Sequence, residues 1–378
     1  MSDLLQALRS PINIAVSGYY GCGNAGDEAV LAGIRAAFAR RAGEQARLFA
    51  LSQDPEATTR LHGIPSVNRM SLSAMRSLLK QCDLLLSGGG SLLQDTTSMR
   101  SLLYYLFVCR LAYSMRVPFM FYAQGLGPLR RGVSRTLVRM VANRAACITV
   151  RDAASAQLLA QIGVTRPPIE VTADPAFALT PAAPSEVDTL MAREGFPLDA
   201  PLLGVALRPW GGAGESPIPA YAALLTELER QSGAQVVLLP MHVPDDVEFG
   251  EQVMQAAGGA FPTLRSAYPP ETLLGLVGRM QAVVAMRLHT LIFAARVGVP
   301  PFALAYDPKV ESLMRSLDLR DALESWRGFD PAEVAERVAA LLTARASRVA
   351  ALRVQTADLE QRALRNADRA LALFPSPR

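Results

Sequence analysis

Ile12-Asn13-Ile14-Ala15-Val16-Ser17-Gly18-Tyr19-Tyr20-Gly21-Cys22-Gly23-Asn24-Ala25-Gly26-Asp27-Glu28 joins an apolar run, a glycine-rich turn and the start of a helix. The β-branched, apolar residues Ile12 to Ser17 read as a buried strand, and the glycines that follow break it. From Asp27 to Arg41 apolar residues recur at helical spacing, and Asp27 and Glu28 complement the positive end of the helix dipole. Working outward, Arg47 to Leu51, Asp83 to Ser87, Pro118 to Ala123, Cys147 to Val150 and Ile169 to Thr172 also read as strands. Met99 to Met115 and Val133 to Ala145 are helix-length stretches between them. Such alternation predicts an α/β fold with a mostly parallel sheet covered by helices.

The stretch Thr180 to Pro201 holds four prolines and loses the β-branched pattern, so a boundary belongs there. Beyond it, strands are expected at Leu202 to Leu207, Gln235 to Leu239 and Ala282 to Ala285, and helices near Ala220 to Gln231, Val247 to Ala256 and Leu273 to Gly278. The expected organisation is a first Rossmann-like domain over residues 1–182, a linker over 183–200 and a second Rossmann-like domain over 201–328. Helices over 329–378 follow, rich in Ala, Leu and Arg, and are expected to pack on the body, with a return to the first domain as one arrangement. In open α/β sheets, ligands bind beyond the carboxyl ends of the strands, so two such domains are expected to face each other across a cleft.

The composition fits large cores: half of the 378 residues are hydrophobic and 19% are charged, which excludes disorder as the main state. Four cysteines form no C-x-x-C pair and three histidines stand apart, which argues against a structural zinc site or a disulfide framework and for reduced thiols in the cytoplasm. Met1 to Ser10 lack the pattern of an export signal. Leu102 to Ala123 is the most lipid-like segment, but Arg110, Arg116 and Pro118 argue against a spanning helix. Lys80 and Lys309 are the only lysines, so nothing in the background composition favours the second one.

Four strand-end constellations carry the chemistry. The turn Gly18 to Glu28 contains a G-x-G-x-x-G match. Three readings stay open: a nucleotide loop, which the acidic first turn opposes; an acid-capped turn; or a substrate loop in which Asn24, Asp27 or Glu28 bonds sugar hydroxyls. Ser87-Gly88-Gly89-Gly90-Ser91, followed by Gln94 and Asp95, lets backbone approach a ligand, and Gln124 is the natural polar contact in Tyr122 to Pro128. Arg130, Arg131, Arg135 and Arg139 follow as a solvated face or a seat for an anionic membrane or lipid diphosphate. Arg151 and Arg208 each end a strand and suit an anionic substrate if they converge. Finally, Met286-Arg287-Leu288-His289-Thr290, with Tyr306-Asp307-Pro308-Lys309 beyond it, sets an imidazole at a strand end beside cations, where it can donate a proton near neutral pH. His242 is also strand-terminal but lacks such neighbours in sequence, and His62 reads as an exposed loop residue.

The pieces Ser17 to Glu28, Ser87 to Asp95, Tyr122 to Pro128, Thr149 to Asp152, Thr172 to Pro175, Met286 to Thr290 and Tyr306 to Lys309 stand in one order. In that order the chain resembles the polysaccharide pyruvyltransferase family, most closely its CsaB-type bacterial cell-wall members. The resemblance implies transfer of pyruvate from phosphoenolpyruvate to two sugar hydroxyls, forming a cyclic ketal and releasing phosphate, with no cofactor and no metal. For CsaB-like enzymes the implied acceptor is N-acetylmannosamine, ketalised at its 4,6-hydroxyls, in an undecaprenyl-diphosphate-linked disaccharide. The product serves a secondary cell-wall polymer that anchors S-layer proteins. The implied fold is that of GT-B proteins, with the acceptor on the first domain and the donor on the second. The implied location is the cytoplasm, with peripheral contact to the inner face of the membrane, and no nucleic acid is expected as a partner.

On the matching motifs, Arg151, His289 and Lys309 fall on donor positions, with Arg287 and Leu288 in the same motif, and Arg208 joins them as a strand-end cation. His289 is the expected acid, protonating the donor methylene; Asp27 or Glu28 is the expected base. Acceptor contacts are expected from Asn24, Gly89, Gly90, Gln94, Asp95 and Gln124. A nucleotide-sugar glycosyltransferase shares this architecture, although no D-x-D motif occurs. A non-catalytic protein binding glycans or lipid diphosphates is the third reading.

Overall fold

The computed structural model describes residues 11–96, 98–209 and 216–374, so the reading of Met1 to Ser10 lies outside the described residues. Two compact units divide the chain. The first comprises residues 1–22, 27–179 and 359–378; the second comprises 23–26 and 180–358.

In the first unit every strand pairing is parallel. The strands are β1 (Ile12–Tyr20), β2 (Ala46–Ser52), β3 (Ser66–Asn68), β4 (Leu84–Ser87), β5 (Gly90–Leu93), β6 (Phe119–Leu126), β7 (Cys147–Val150) and β8 (Ile169–Val171). Their order is β3-β2-β1-β4-β6-β7-β8, with β5 added beside β6. The helices of this stretch are α1 (Ala25–Ala42), α2 (Pro55–His62), α3 (Leu72–Leu79), α4 (Met99–Ser114), α5 (Gly132–Ala142) and α6 (Ala153–Gln161). β4 and β7 are buried along their whole lengths, as strands covered by helices on both faces must be. Residues of α3, α4 and α5 share one apolar core with the strands, among them Leu78, Tyr105, Cys109 and Val138.

Residues 180–358 repeat the pattern. They hold α7 (Pro184–Glu194), β9 (Leu202–Ala206), α8 (Ile218–Ser232), β10 (Gln235–Leu238), α9 (Asp245–Ala257), α10 (Pro270–Val277), β11 (Met280–Ala285), α11 (Leu288–Val297), β12 (Pro301–Ala305), α12 (Pro308–Ser316), β13 (Leu323–Ser325) and α13 (Pro331–Thr343). The parallel order is β10-β9-β11-β12-β13. α7 lies within residues 183–200 and groups with this unit, and so do residues 329–358. The last helix, α14 (Arg345–Leu371), groups with the first unit from Leu359 onward. There Asn366 accepts a bond from the Thr172 hydroxyl and donates to the Ala173 carbonyl, while Arg365 and Arg369 pair with Glu170.

Most expected strands and helices occur within a few residues of their predicted ends, and several elements were not predicted. β12 begins at Pro301, directly after Pro300. Proline is tolerated as the first residue of a strand, and here the Pro300 carbonyl accepts the Val283 amide. His62 is a correction. It is buried at the end of α2, which Asp54 caps and Gly63 terminates in the left-handed conformation, and its Nε2 lies 2.7 Å from Glu28 Oε2. The arginines after Pro128 are helical only from Gly132, with Arg131 at the N-cap. No helix among the described residues is long and apolar enough to cross a membrane.

Candidate functional site

At the carboxyl edge of the second sheet, β9, β11 and β12 lie side by side, with Ala285 paired to Ala206 on one flank and to Ala303 on the other. Neighbouring strands are about 4.8 Å apart, so side chains leaving three adjacent ends can reach one small ligand. Those ends carry Arg208, then Arg287 and His289, then Tyr306 and Lys309. The Arg208 guanidinium donates to the Tyr306 hydroxyl at 2.8 Å and lies 4.8 Å from its ring centre; the Lys309 ammonium lies 5.8 Å from the same ring. Asp307 caps α12 by accepting the Lys309 amide, with its other oxygen 3.4 Å from the Lys309 ammonium. The Y-D-P-K motif thus divides its labour: Asp307 and Pro308 start the helix, while Tyr306 accepts from Arg208 and carries Lys309 near its ring.

Arg287 is the N-cap of α11 and pairs with Asp246, a carboxylate only 3% exposed. The other Asp246 oxygen accepts the amides of Met241 and His242 at 3.0 Å, so one buried carboxylate ties the end of β10 to Arg287. Asp246 does not stand out in the sequence, because one acid among Asp245, Asp246 and Glu248 looks like ordinary first-turn helix chemistry. His242 sits beside this pair, with Nδ1 3.0 Å from Asp245. Residues 23–26 join the same edge. The Ala25 amide donates to the Met241 carbonyl, the Val243 amide donates to the Gly23 carbonyl, and Asn24 bridges His242. The Asn24 side chain accepts the Gly26 amide at 3.1 Å. A Cβ at Gly26 would stand 2.3 Å from His289 Nδ1, so a glycine is what lets the imidazole close on this turn. Leu288 is buried at the start of α11.

In the first unit, β1 leaves register with β2 between Ser17 and Tyr20, and β6 leaves register with β7 between Phe121 and Gln124. Such irregularities re-aim side chains at strand ends. Arg151, 7% exposed in its side chain, donates to Asp174 at 2.8 Å and to Ser91 at 2.9 Å, and lies against Gly125. Asp152 caps α6 by accepting the Ser155 amide. Gln124 is fully buried and its amide donates to the Gly90 carbonyl at 2.7 Å; Gly89 packs on Pro175 and Val30. Both build the loop from within. Gln94 accepts from Thr96. Arg151 belongs to the first unit, whereas Arg208, His289 and Lys309 belong to the second.

The two adjacent acids of the first turn differ in what they touch. Both Glu28 oxygens are engaged, one by the Gly21 amide at 2.8 Å and the other by His62. Asp27 Oδ1 lies beside Gly90, where a Cβ would stand 3.3 Å away. Tyr20 passes between Gly18 and Gly88, and its buried hydroxyl has no hydrogen-bond partner among the described residues. Burial pushes that phenol well above its ordinary range, and the Asp27 and Glu28 carboxylates add to the shift, so it is a neutral donor. Arg69, 7% exposed, was also missed. It follows β3 and donates to the Gly18 carbonyl and the Tyr105 hydroxyl, with its guanidinium 4.4 Å from the Tyr104 ring centre. No carboxylate of the described residues pairs with it. Nothing near Arg69 in sequence signals this, because its three tyrosines come from β1 and α4.

Asp95 accepts the amides of Arg130 and Arg131, each at 2.8 Å. Desolvation works against its charge, but these bonds and one from Ser134 prevail and hold the carboxyl below its ordinary range. Charge-assisted bonds contribute about 1.5–3 kcal/mol each, so Asp95→Ala, which loses two of them, is expected to cost about 3–6 kcal/mol in urea unfolding at neutral pH. Because the folded-state value is depressed, that stability is present above the unfolded carboxyl range, about 4, and is lost as pH falls through the folded value. A gap between parent and variant that stays constant into acid would refute the assignment.

Three solved structures illustrate the likeness in fold. An S. aureus MnaA structure with UDP aligns at a TM-score of 0.65 and 13% identity, covering 96% of this chain and 97% of that one. A UDP-GlcNAc 2-epimerase from Neisseria meningitidis gives 0.60 and 12%, covering 96% and 100%. A glycosyltransferase from Rickettsia africae gives 0.60 and 10%, covering 97% and 100%. At such identities the likeness is one of fold: two Rossmann-like sheets with C-terminal helices, among GT-B-like neighbours. No curated protein matches the chain. A family model described as polysaccharide pyruvyl transferase matches residues 24–308, a span that begins in the turn touching His289 and ends in the motif carrying Lys309. With three quarters of its length so matched, the chain belongs to the polysaccharide pyruvyl transferase family.

Proposed function

We propose that the chain transfers pyruvate from phosphoenolpyruvate to the 4- and 6-hydroxyls of N-acetylmannosamine in a lipid-diphosphate-linked disaccharide, closing a cyclic ketal for a secondary cell-wall polymer. The observation that carries this reading is the edge of the second sheet, where Arg208, His289 and Lys309 leave adjacent strand ends. Phosphoenolpyruvate offers a phosphate and a carboxylate, the anions that guanidinium and ammonium groups bind by charge-assisted bonds. Arg151, in the first unit, is proposed as a donor contact on its motif.

Protonated His289 delivers its proton to the donor methylene, which becomes a methyl group and leaves C2 electrophilic. One sugar hydroxyl adds to C2 and gives up its proton to Asp27. The second hydroxyl then displaces phosphate from C2 and gives up its proton to His289, restoring the imidazolium, while Lys309 balances the charge of the departing phosphate and the ring closes. No cofactor enters these steps. Asp27, whose carboxylate lies beside the glycine loop at Gly90, is proposed as the base, while Glu28 holds the Gly21 amide and His62. Arg287, spent on Asp246, holds the β10 loop in this scheme.

Phosphate release is measured with phosphoenolpyruvate and a synthetic lipid-linked disaccharide, and the product is weighed by mass spectrometry. A product heavier by one pyruvyl ketal is expected. Transfer of an intact hexose from a nucleotide sugar would overturn the reading in favour of a glycosyltransferase, and binding without phosphate release would leave a glycan-binding protein.

A further inference from the structure

Between Ala57 and Arg151 the chain carries thirteen basic residues, and its only acids are Asp83 and Asp95. Both acids have partners in the fold: Asp83 accepts the Asn13 amide, and Asp95 accepts the two amides ahead of α5. Exposed apolar side chains concentrate in the same span. Of the eleven large hydrophobic residues that are exposed among the described residues, seven lie between Met70 and Met140. Scattered singly they would need no explanation, but these sit on one layer, because α3, α4 and α5 share a single core on their inner sides. On α4, Leu103, Phe107 and Arg110 fall on one outward stripe; on α5, Val133 and Met140 do the same two turns apart. The Ser134 hydroxyl lies 3.8 Å from the Met99 sulfur near the starts of α4 and α5, and the Arg144 guanidinium, just past α5, lies 5.7 Å from the Tyr113 ring near the end of α4. The two helices therefore run alongside each other and present their stripes together. Between α5 and α6 a cavity of about 130 Å³ is lined by Arg135, Arg139 and Gln161, with Leu158 and Ile162.

We propose that this outer face of α3, α4 and α5 docks on a bilayer carrying anionic lipid headgroups. Leu103, Phe107, Val133 and Met140 enter the interface, and the arginines around them meet the lipid phosphates, two of them in a cavity of headgroup size. The aliphatic share of the face suits acyl chains better than nucleic-acid bases, which stack on aromatic planes. A second copy of the chain is a poor partner, because a two-fold contact sets this patch against itself and brings guanidinium against guanidinium. Docking stands apart from the chemistry at the strand ends, since partition is read without turnover.

The full chain is floated with vesicles of phosphatidylglycerol and phosphatidylcholine in equal parts, and with phosphatidylcholine alone. Binding to the first, weakened by salt, and little binding to the second are expected. Leu103→Ser with Phe107→Ser lowers partition about ten-fold or more, as does Val133→Ser with Met140→Ser on the other helix. Arg135→Ser and Arg139→Ser lower it about five-fold each. All these side chains are exposed, and circular dichroism verifies that each variant is folded. Equal partition into both vesicle types, no partition, or unchanged partition of all the variants overturns the proposal. So does a protein that ignores vesicles but changes from dimer to monomer on sedimentation when Leu103 and Phe107 are replaced.

Discussion

Alanine in place of His289 lowers phosphate release by about 100- to 10,000-fold, the usual share of a positioned general acid. The fold survives, because His289 lies in the first turn of α11 and is only partly buried. Phosphoenolpyruvate still protects this variant against heat. A ligand at 100 times its dissociation constant stabilises by about 2.7 kcal/mol, and Arg208 and Lys309, proposed to provide that affinity, remain in place. Turnover near that of the parent would remove the imidazole from proton delivery. Turnover lost together with thermal protection would make His289 a binding group instead.

The second large effect falls on Asp246. Asp246→Ala leaves the Arg287 guanidinium beside a cavity and strands the amides of Met241 and His242. Removing one partner of a buried pair costs about 3–5 kcal/mol, and denaturant unfolding reads that loss directly. Replacing both partners, Asp246→Leu with Arg287→Met, removes the uncompensated charge and leaves only the two amides, so about 1–3 kcal/mol of the loss remains. Protection by phosphoenolpyruvate persists in this double variant if Arg287 acts on the loop. A double variant no more stable than Asp246→Ala would show that the ion pair is not what holds the β10 end.

These two residues also differ in how far their places in the fold can be read from the sequence. His289 is legible because it stands at a strand end, next to an arginine and before a helix, all within a few positions. Asp246 is not, because its partner is forty-one residues away and only the β10-β9-β11 order brings them together. Glu28 and His62 illustrate the same limit. Adjacent acids in a first turn look equivalent, yet one faces Gly90 and the other closes on an imidazole from α2. Arg69 lies further still from recognition, since its tyrosines come from the end of β1 and from α4.

By itself the amino-acid order determined the α/β alternation, the parallel class of both sheets and which polar residues stand at strand ends. Those properties follow from hydrophobic period and from glycine and proline punctuation, which act over a few neighbouring residues. Only the tertiary structure decided which charges are spent on the fold, as at Arg287, Glu28 and Asp95, and which outer face stays apolar and free of acids. Burial and ion pairing depend on contacts between residues far apart in the chain, and no local pattern encodes them.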